Sequence, residues 1–343
     1  MPTVAVDANG ADLGPGEVAA GAALAAEQGI RILLFGPAAE LRAAGELPDG
    51  VEVRDAPVSI AKAPDPVHAA RRTPEASIVQ AARAVGGGEA DALVSGGSTG
   101  SALAAGLFHF KRARGIFRPA LALPVPIPGA PVLLLDVGAN TEVRPEHLVQ
   151  FAFMGAAFAE TVLGVVNPRV GLLSNGEEPT RGTPDVVAVG EQLRARPGIL
   201  NFVGNVEGTG LTEGRADVVV TDGFTGNVAL KLLEGTSVAI INAIRERARS
   251  SPRAGLGGLL LRPALRDLRD QVDPEGTGGA YMLGLRRVGV VAHGRFTRRG
   301  FARAIEVAAK AVTEESVERT HAALQEAGVL RTPSAARSSV AGP

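Results

Sequence analysis

Ala92-Leu93-Val94-Ser95-Gly96-Gly97-Ser98-Thr99-Gly100-Ser101, continuing into an alanine-rich run that ends near Phe110, is the stretch on which the fold class turns. A short β-prone run meets a glycine-rich loop, and the loop opens a helical segment. The same unit recurs along the chain. Residues 4–6 lead through Asp7-Ala8-Asn9-Gly10-Ala11-Asp12 into a helix from about Gly16. Residues 132–135 lead through Asp136-Val137-Gly138-Ala139-Asn140 into a helix near Pro145. Residues 170–173 lead through Ser174-Asn175-Gly176 into a helix near Pro184, and residues 218–220 lead through Thr221-Asp222-Gly223-Phe224-Thr225-Gly226 into a helix from Asn227. Strands alternating with helices predict an α/β fold: a doubly wound, largely parallel sheet with helices on both faces. In such sheets ligands sit beyond the carboxyl ends of the strands. The five glycine loops are therefore expected at one edge, lining one crevice.

Composition narrows the function classes. The chain has 343 residues, enough to bury a large core, and a formal net charge of −1, which gives no support to bulk nucleic-acid binding. It has no cysteine, so disulfides, thiolate metal sites and a cysteine acyl-enzyme are excluded. The first strand begins within a few residues of Met1, with neither a basic region before it nor a long apolar run after it, so no secretory signal is read and a cytoplasmic location is expected. The uncharged stretch 119–135 carries Pro119, Pro124, Pro126, Pro128 and Pro131. Such a segment cannot be a spanning helix, and it is expected to form two buried strands joined by a turn at Pro128-Gly129. Residues 1–330 are read as one α/β domain with an apolar helical hairpin at about 240–275, a final helix over about 303–327, and a disordered tail at 331–343.

Each loop admits two readings. Ser95, Gly97, Ser98, Thr99 and Gly100 suit an anion cradle, because glycines let amides converge at a helix start; the same residues suit a tight turn capped by Ser98 or Thr99. Asn227 suits an oxyanion or phosphate donor as well as a helix N-cap. Asp7, Asp136 and Asp222 at strand ends serve either as acid/base groups or as turn-fixers that accept from backbone amides; their scattered spacing is poor evidence for a metal. His293, in Val290-Val291-Ala292-His293-Gly294, is a general acid/base or a structural histidine. His147, near a helix start, binds an anion or caps and packs; Arg71-Arg72 suits phosphate, an acidic partner or plain solvation. There is no Gly-Lys-Ser/Thr phosphate loop and no dinucleotide fingerprint, which disfavours a nucleotide-dependent dehydrogenase.

Taken together, these loops resemble the PlsX family. The opening from Val4 to Pro15 is similar to its D-A-M-G-G-D-x-x-P, and Ser95 to Gly100 to its S-A-G-N-T-G. Leu134-Leu135-Asp136-Val137-Gly138-Ala139-Asn140 with Pro145-Glu146-His147-Leu148, Asn167-Pro168-Arg169-Val170-Gly171, Phe202-Val203-Gly204-Asn205-Val206-Glu207-Gly208, the segment 216–235, Gly278-Gly279-Ala280 and Ala292-His293-Gly294 follow in order. The resemblance covers residues 3–313. The chain departs from the pattern at Asn9 and Ala11, at Ser98, at Pro179-Thr180, and at Arg295-Phe296-Thr297.

The resemblance implies a phosphotransacetylase- and isocitrate-dehydrogenase-like fold, a homodimer, and transfer of a fatty acyl group from acyl carrier protein to inorganic phosphate, with no cofactor and no metal. It implies a basic catalytic residue in the loop 176–182, where Arg181 stands in place of lysine. With it go Asn227 and His293 as catalytic candidates, and Asp7, Gly10, Ser95, Gly97, Ser98, Thr99, Gly100, Asp136, Asn140, Asp222, Gly223, Thr225 and Gly226 as phosphate- or substrate-binding ones. Phosphate is already a nucleophile, so the site has to juxtapose two reactants, hold a polyanion and stabilise an oxyanion. The rivals are a coenzyme A-dependent phosphate acyltransferase and a catalytically retired scaffold of lipid synthesis. Leu256, Leu259, Leu260, Leu261 and Leu265, beside Arg253, Arg262, Arg266 and Arg269, are read as a peripheral membrane contact or a buried dimer hairpin.

Overall fold

The computed structural model describes residues 1–129 and 131–331. The expectation of a disordered tail falls, apart from Arg331, on residues outside the described ones. Among the described residues, eleven β-prone runs form strands β1 (Thr3–Asp7), β2 (Arg31–Gly36), β3 (Val51–Asp55), β4 (Ala92–Ser95), β5 (Ala120–Val125), β6 (Val132–Leu135), β7 (Val170–Leu173), β8 (Phe202–Val206), β9 (Val218–Val220), β10 (Ala280–Leu283) and β11 (Val288–Val291). The helices, in chain order, are α1 (Pro15–Ala26), α2 (Ala38–Ala43), α3 (Pro66–Arg72), α4 (Ser77–Gly87), α5 (Thr99–His109), α6 (Pro145–Thr161), α7 (Pro184–Arg194), α8 (Gly223–Arg249), α9 (Pro252–Gln271), α10 (Arg298–Thr313) and α11 (Ser316–Glu326).

All eleven strands join one sheet in the order β3-β2-β1-β4-β11-β10-β5-β6-β9-β7-β8. Alternation along each strand divides the core into two faces. Val4, Val6, Ile32 and Leu34 face Ala22, Phe151, Phe158 and Ile305, from α1, α6 and α10. Ala5, Leu33, Leu93 and Leu134 face Ile78, Val79, Ala102, Ala105 and Leu230, from α4, α5 and α8. The architecture is thus α/β/α, as the sequence pattern predicts.

The sheet is largely parallel, as expected, but its parallel strands fall into two blocks. β3, β2, β1, β4 and β11 are mutually parallel. β10 is antiparallel to both β11 and β5, and β5 is antiparallel to β6. β6, β9, β7 and β8 are again parallel to one another. The second parallel block therefore points opposite to the first. The carboxyl ends of β1, β4 and β11 lie at one edge of the sheet, here edge A, and those of β6, β7 and β9 at the other, edge B. The expectation of one crevice holding all five glycine loops is corrected: two loops lie at edge A and three at edge B.

The β5–β6 hairpin that reverses the chain matches the sequence reading, with Gly129 at φ +74° in its turn. The helical hairpin starts earlier than expected, because α8 runs unbroken from Gly223, and it turns at Ser250-Ser251 before Pro252 opens α9. The final helix is two helices, α10 and α11, parted at Glu315, whose φ of +53° leaves the helical region.

Candidate active site

Edge A is built around a buried carboxylate. Asp7, 1 % exposed at the end of β1, accepts from Ser77 Oγ at 2.6 Å, from Ser95 Oγ at 2.8 Å and from Asn9 N at 3.2 Å. Burial, only partly offset by these donors, pushes its carboxyl up to about 6. Ser95 Oγ in turn accepts from Gly97 N at 3.1 Å. Ser98 caps α5, its Oγ accepting from Ser101 N at 3.1 Å, as one of the two sequence readings had it. A Cβ at Gly10 would collide with Ala61, and one at Gly100 with Pro66. Gly10 and Gly100 thus permit a close fit of loops. Thr99 begins the helix and is exposed.

His293 also lies at edge A, since β11 ends beside Ser95. Its Nδ1 accepts from Arg295 N at 3.2 Å, and its ring stacks on Phe296 with centroids 6.0 Å apart. Burial first, then the charges of Lys231 and Arg295, hold its pKa below the ordinary histidine value. Lys231 belongs to α8, which starts at edge B. Eight residues of helix rise about 12 Å, roughly the length of a four-residue strand. α8 therefore crosses the sheet, and the hairpin it forms with α9 projects from the edge A side.

Edge B gathers the remaining candidates. Asp136, fully buried, accepts from the amides of Leu121, Gly138, Ala139 and Asn140 and from Asn140 Nδ2, at 2.8 to 3.1 Å. Burial raises its pKa against these bonds. Asn140 Nδ2 also donates to Pro119 O at 2.8 Å, and Gly223 N donates to Asn140 O at 2.7 Å. Asp136 and Asn140 therefore lock the β6 loop to the start of α8. The N-cap of α8 is Asp222, whose two oxygens accept from Thr225 N at 2.8 Å and Thr225 Oγ at 2.7 Å. The alternative reading of Asn227 as the cap is corrected: Asn227 sits a turn further on and is exposed.

A cleft of about 890 Å³ opens at this edge. It is lined by Ser174, Asn175, Thr183, Thr221, Phe224 and Thr225 among others. Two helix N-termini face it: α7, capped by Thr183 Oγ accepting from Val186 N, and α8. Ser174 Oγ is closed off from solvent and has no hydrogen-bond partner among the described residues. Glu142 and Asp185 also line the cleft, so its attraction for anions rests on the helix ends. Arg181 is exposed beside this loop, its side chain against Gly176 and its Nε 3.5 Å from Glu178 Oε2. The sequence-predicted residues are thus divided: Asp7, Gly10, Ser95, Gly97, Ser98, Thr99, Gly100 and His293 at edge A, and Asp136, Asn140, Arg181, Asp222, Gly223, Thr225, Gly226 and Asn227 at edge B. Arg181 lies at the opposite edge from His293 and the Ser95–Gly100 loop, whereas Asn227 is one turn of α8 before Lys231, whose charge acts on His293.

Sequence reasoning missed Ser77, Ser174 and Phe224. Ser77 carries no local signal, since its partner Asp7 is 70 residues away. Thr183-Pro184 was legible as a cap followed by an N1 proline. Among the described residues no cluster of His, Asp and Glu could hold a metal ion. His147 has the capping role: its Nδ1 accepts from Arg144 N at 3.2 Å, and burial lowers its pKa. Arg71 lies over the Phe108 ring at 5.1 Å.

The model of a family described as fatty acid synthesis proteins matches residues 2–319. A phosphate acyltransferase of Desulfitobacterium hafniense (strain Y51) is 41% identical over 323 residues, covering 93% of this chain and 96% of the relative. One of Geobacillus sp. (strain WCH70) is 42% identical over 328 residues, covering 93% and 99%. Among solved structures, a phosphotransacetylase from Streptococcus pyogenes superposes with a TM-score of 0.60 at 15% identity, covering 91% of this chain and 94% of that one. The EutD phosphotransacetylase from Staphylococcus aureus gives 0.58 at 18% identity, with the same coverages. The structural likenesses show the fold.

Proposed function

Because this chain belongs to the fatty acid synthesis protein family, the PlsX family that its loops resemble, we propose that it is a phosphate acyltransferase, moving a fatty acyl group from the thioester of acyl carrier protein to inorganic phosphate. The observation that carries the placement of the reaction is the edge B cleft, where two helix N-termini and the unpartnered Ser174 hydroxyl meet beside Arg181. Helix ends and a guanidinium suit a phosphate, and a dry hydroxyl without a partner supplies a hydrogen bond on ligand entry. A phosphate oxygen attacks the thioester carbon, the carbon–sulfur bond breaks, and the thiolate takes a proton from water. The acyl phosphate leaves with the new carbon–oxygen bond. Asn227, exposed on α8, donates its amide to the developing oxyanion. Phe224, Val228 and Leu232, at successive i, i+4 steps and all exposed, give the acyl chain an apolar track along α8 towards the hairpin. His293 and the Ser95–Gly100 loop organise edge A, the end towards which this track along α8 runs.

The retired-scaffold reading rested on Ser98, Thr180 and Phe296. Ser98 caps α5, a role for which serine and asparagine are equally suited, and Phe296 is buried against Phe301. Ser98 and Phe296 are thus consistent with an intact framework, and Thr180 has no structural explanation. A homodimer and a cytoplasmic protein with peripheral membrane contact belong to the same reading.

The test is direct. Purified protein with acyl carrier protein thioester and phosphate should yield acyl hydroxamate on trapping with hydroxylamine, above a blank without phosphate. Carrier binding without product would favour the scaffold. Arg181→Ala should raise the phosphate KM roughly 10- to 100-fold, since charge-assisted bonds to anions contribute about 1.5–3 kcal/mol. An unchanged phosphate KM in the folded variant would move the phosphate away from edge B.

A further inference from the structure

The net charge of the chain is −1, yet its cations are unevenly placed. Arg112, Arg114, Arg118, Arg144, Arg286 and Arg287 are all exposed, and all lie in loops that enter or leave strands at edge B. Arg112 pairs in a β-bridge with Leu285, and Arg286 Nε donates to Arg112 O at 3.2 Å, which joins the loop after α5 to the loop between β10 and β11. Arg112, Arg118 and Arg144 all act on the charge of His147, which places them around one point at the start of α6. The acids among them are Glu142, Glu146 and Glu318. Of the six arginines, only Arg144 makes an ion pair among the described residues, with Glu146 at 3.9 Å. The band is continuous with the cleft, because Thr141, Glu142 and Val143, which line the cleft, immediately precede Arg144.

We infer that this arginine band is the docking surface for an acidic protein that presents the acyl thioester to the edge B cleft. The inference rests on the carrier-protein reading of the donor and assigns that donor its contact surface. Five of the six guanidiniums have no carboxylate partner among the described residues, although Arg112 also donates to Phe117 O, and a patch of one sign raises the encounter rate of an opposite partner while adding orientation. A bilayer is the poorer occupant: none of the exposed large apolar side chains falls in these loops, where Ile116 and Leu285 are buried. The apolar hairpin projects from the edge A side, leaving the band free to meet a soluble partner.

The experiment compares two donors that carry the same acyl thioester: the carrier protein and acyl-pantetheine, which lacks the protein. Arg114→Glu combined with Arg287→Glu should raise the KM for the carrier thioester roughly tenfold or more and leave turnover of acyl-pantetheine unchanged. The milder Arg287→Gln should give a smaller rise in the same direction. Added salt should weaken the carrier KM of the unaltered protein much more than that of the double variant. Equal KM values for the carrier in the variants and the unaltered protein would overturn the docking surface while leaving the donor reading intact. Equal losses with both donors would assign the arginines to the fold instead. An unaltered protein that turns over acyl-pantetheine but not the carrier thioester would refute the carrier reading, and the docking surface with it.

Discussion

Asp7 shows how a side chain can be legible in the sequence while its energetics are not. Its place at a strand end, before a glycine loop, marks it as a turn-fixer. Its partners do not follow from that place: Ser77 and Ser95 come from α4 and β4 and close over it. Burial raises its pKa from 3.8 to about 6, so between those values the folded chain binds more protons than the unfolded one. Stability from this residue is therefore greatest below the window and falls as pH rises through it, by about 3 kcal/mol in all as an order of magnitude. Glu17 and Asp217, held low by hydrogen bonds from Arg298 and Arg169, act in the opposite sense and lose their stabilisation in acid. The residue is thus read by difference. Thermal melts of the unaltered protein and Asp7→Asn should show the unaltered protein gaining on the variant between about pH 7 and about pH 5. A constant gap would mean that Asp7 does not titrate in that window.

At the scale of elements, glycine is the informative residue, and two glycines of α8 should respond with opposite signs. A Cβ at Gly226 would overlap the carbonyl oxygen of Asp136, which is held by the buried β6 loop. Gly226→Ala should push α8 away from β6 and cost about 1–3 kcal/mol, read as a lower denaturation midpoint. Gly235, on the same helix, is exposed with nothing near its Cβ position, so Gly235→Ala should gain about 0.5–1 kcal/mol. Chemical denaturation of both variants checks the pair; a stable Gly226→Ala would show that the helix start has room to shift. The strand-loop-helix units were legible because apolar runs, glycines and caps are local signals. The direction of a strand is not local. Nothing in residues 132–135 states that they run against residues 92–95, because that depends on the β5–β6 hairpin and on β10 inserting between β11 and β5. This is why the loops that carry the candidate residues were legible and their grouping at two edges was not.

On the scale of the whole molecule, one part does not close upon the core. No residue of α9 is buried, and beyond Leu230 neither is any of α8. Leu256, Leu259, Leu260 and Leu261 are 58 to 75 % exposed, and a groove of about 800 Å³ between the two helices is lined by Ile240, Ile244, Leu259 and Leu268 along with Arg245, Arg262 and Arg266. α8 has a window with mean hydropathy 1.2, long and apolar enough to cross a bilayer by length and composition alone, but its first turns are anchored on the sheet at Leu230. Leucines beside arginines favour a helix pair lying in an interface, with the arginines on anionic headgroups and the leucines below them. Each leucine contributes roughly 1.5–3 kcal/mol at full burial, so two or three are enough for reversible attachment. Leu260→Glu together with Leu261→Glu should abolish sedimentation with anionic vesicles while soluble activity and oligomeric state stay as they were. The competing occupant of the same leucines is the hairpin of a second copy. In that case the double variant would become monomeric or lose its cooperative melt, and vesicle binding would no longer be the reason these side chains face outward.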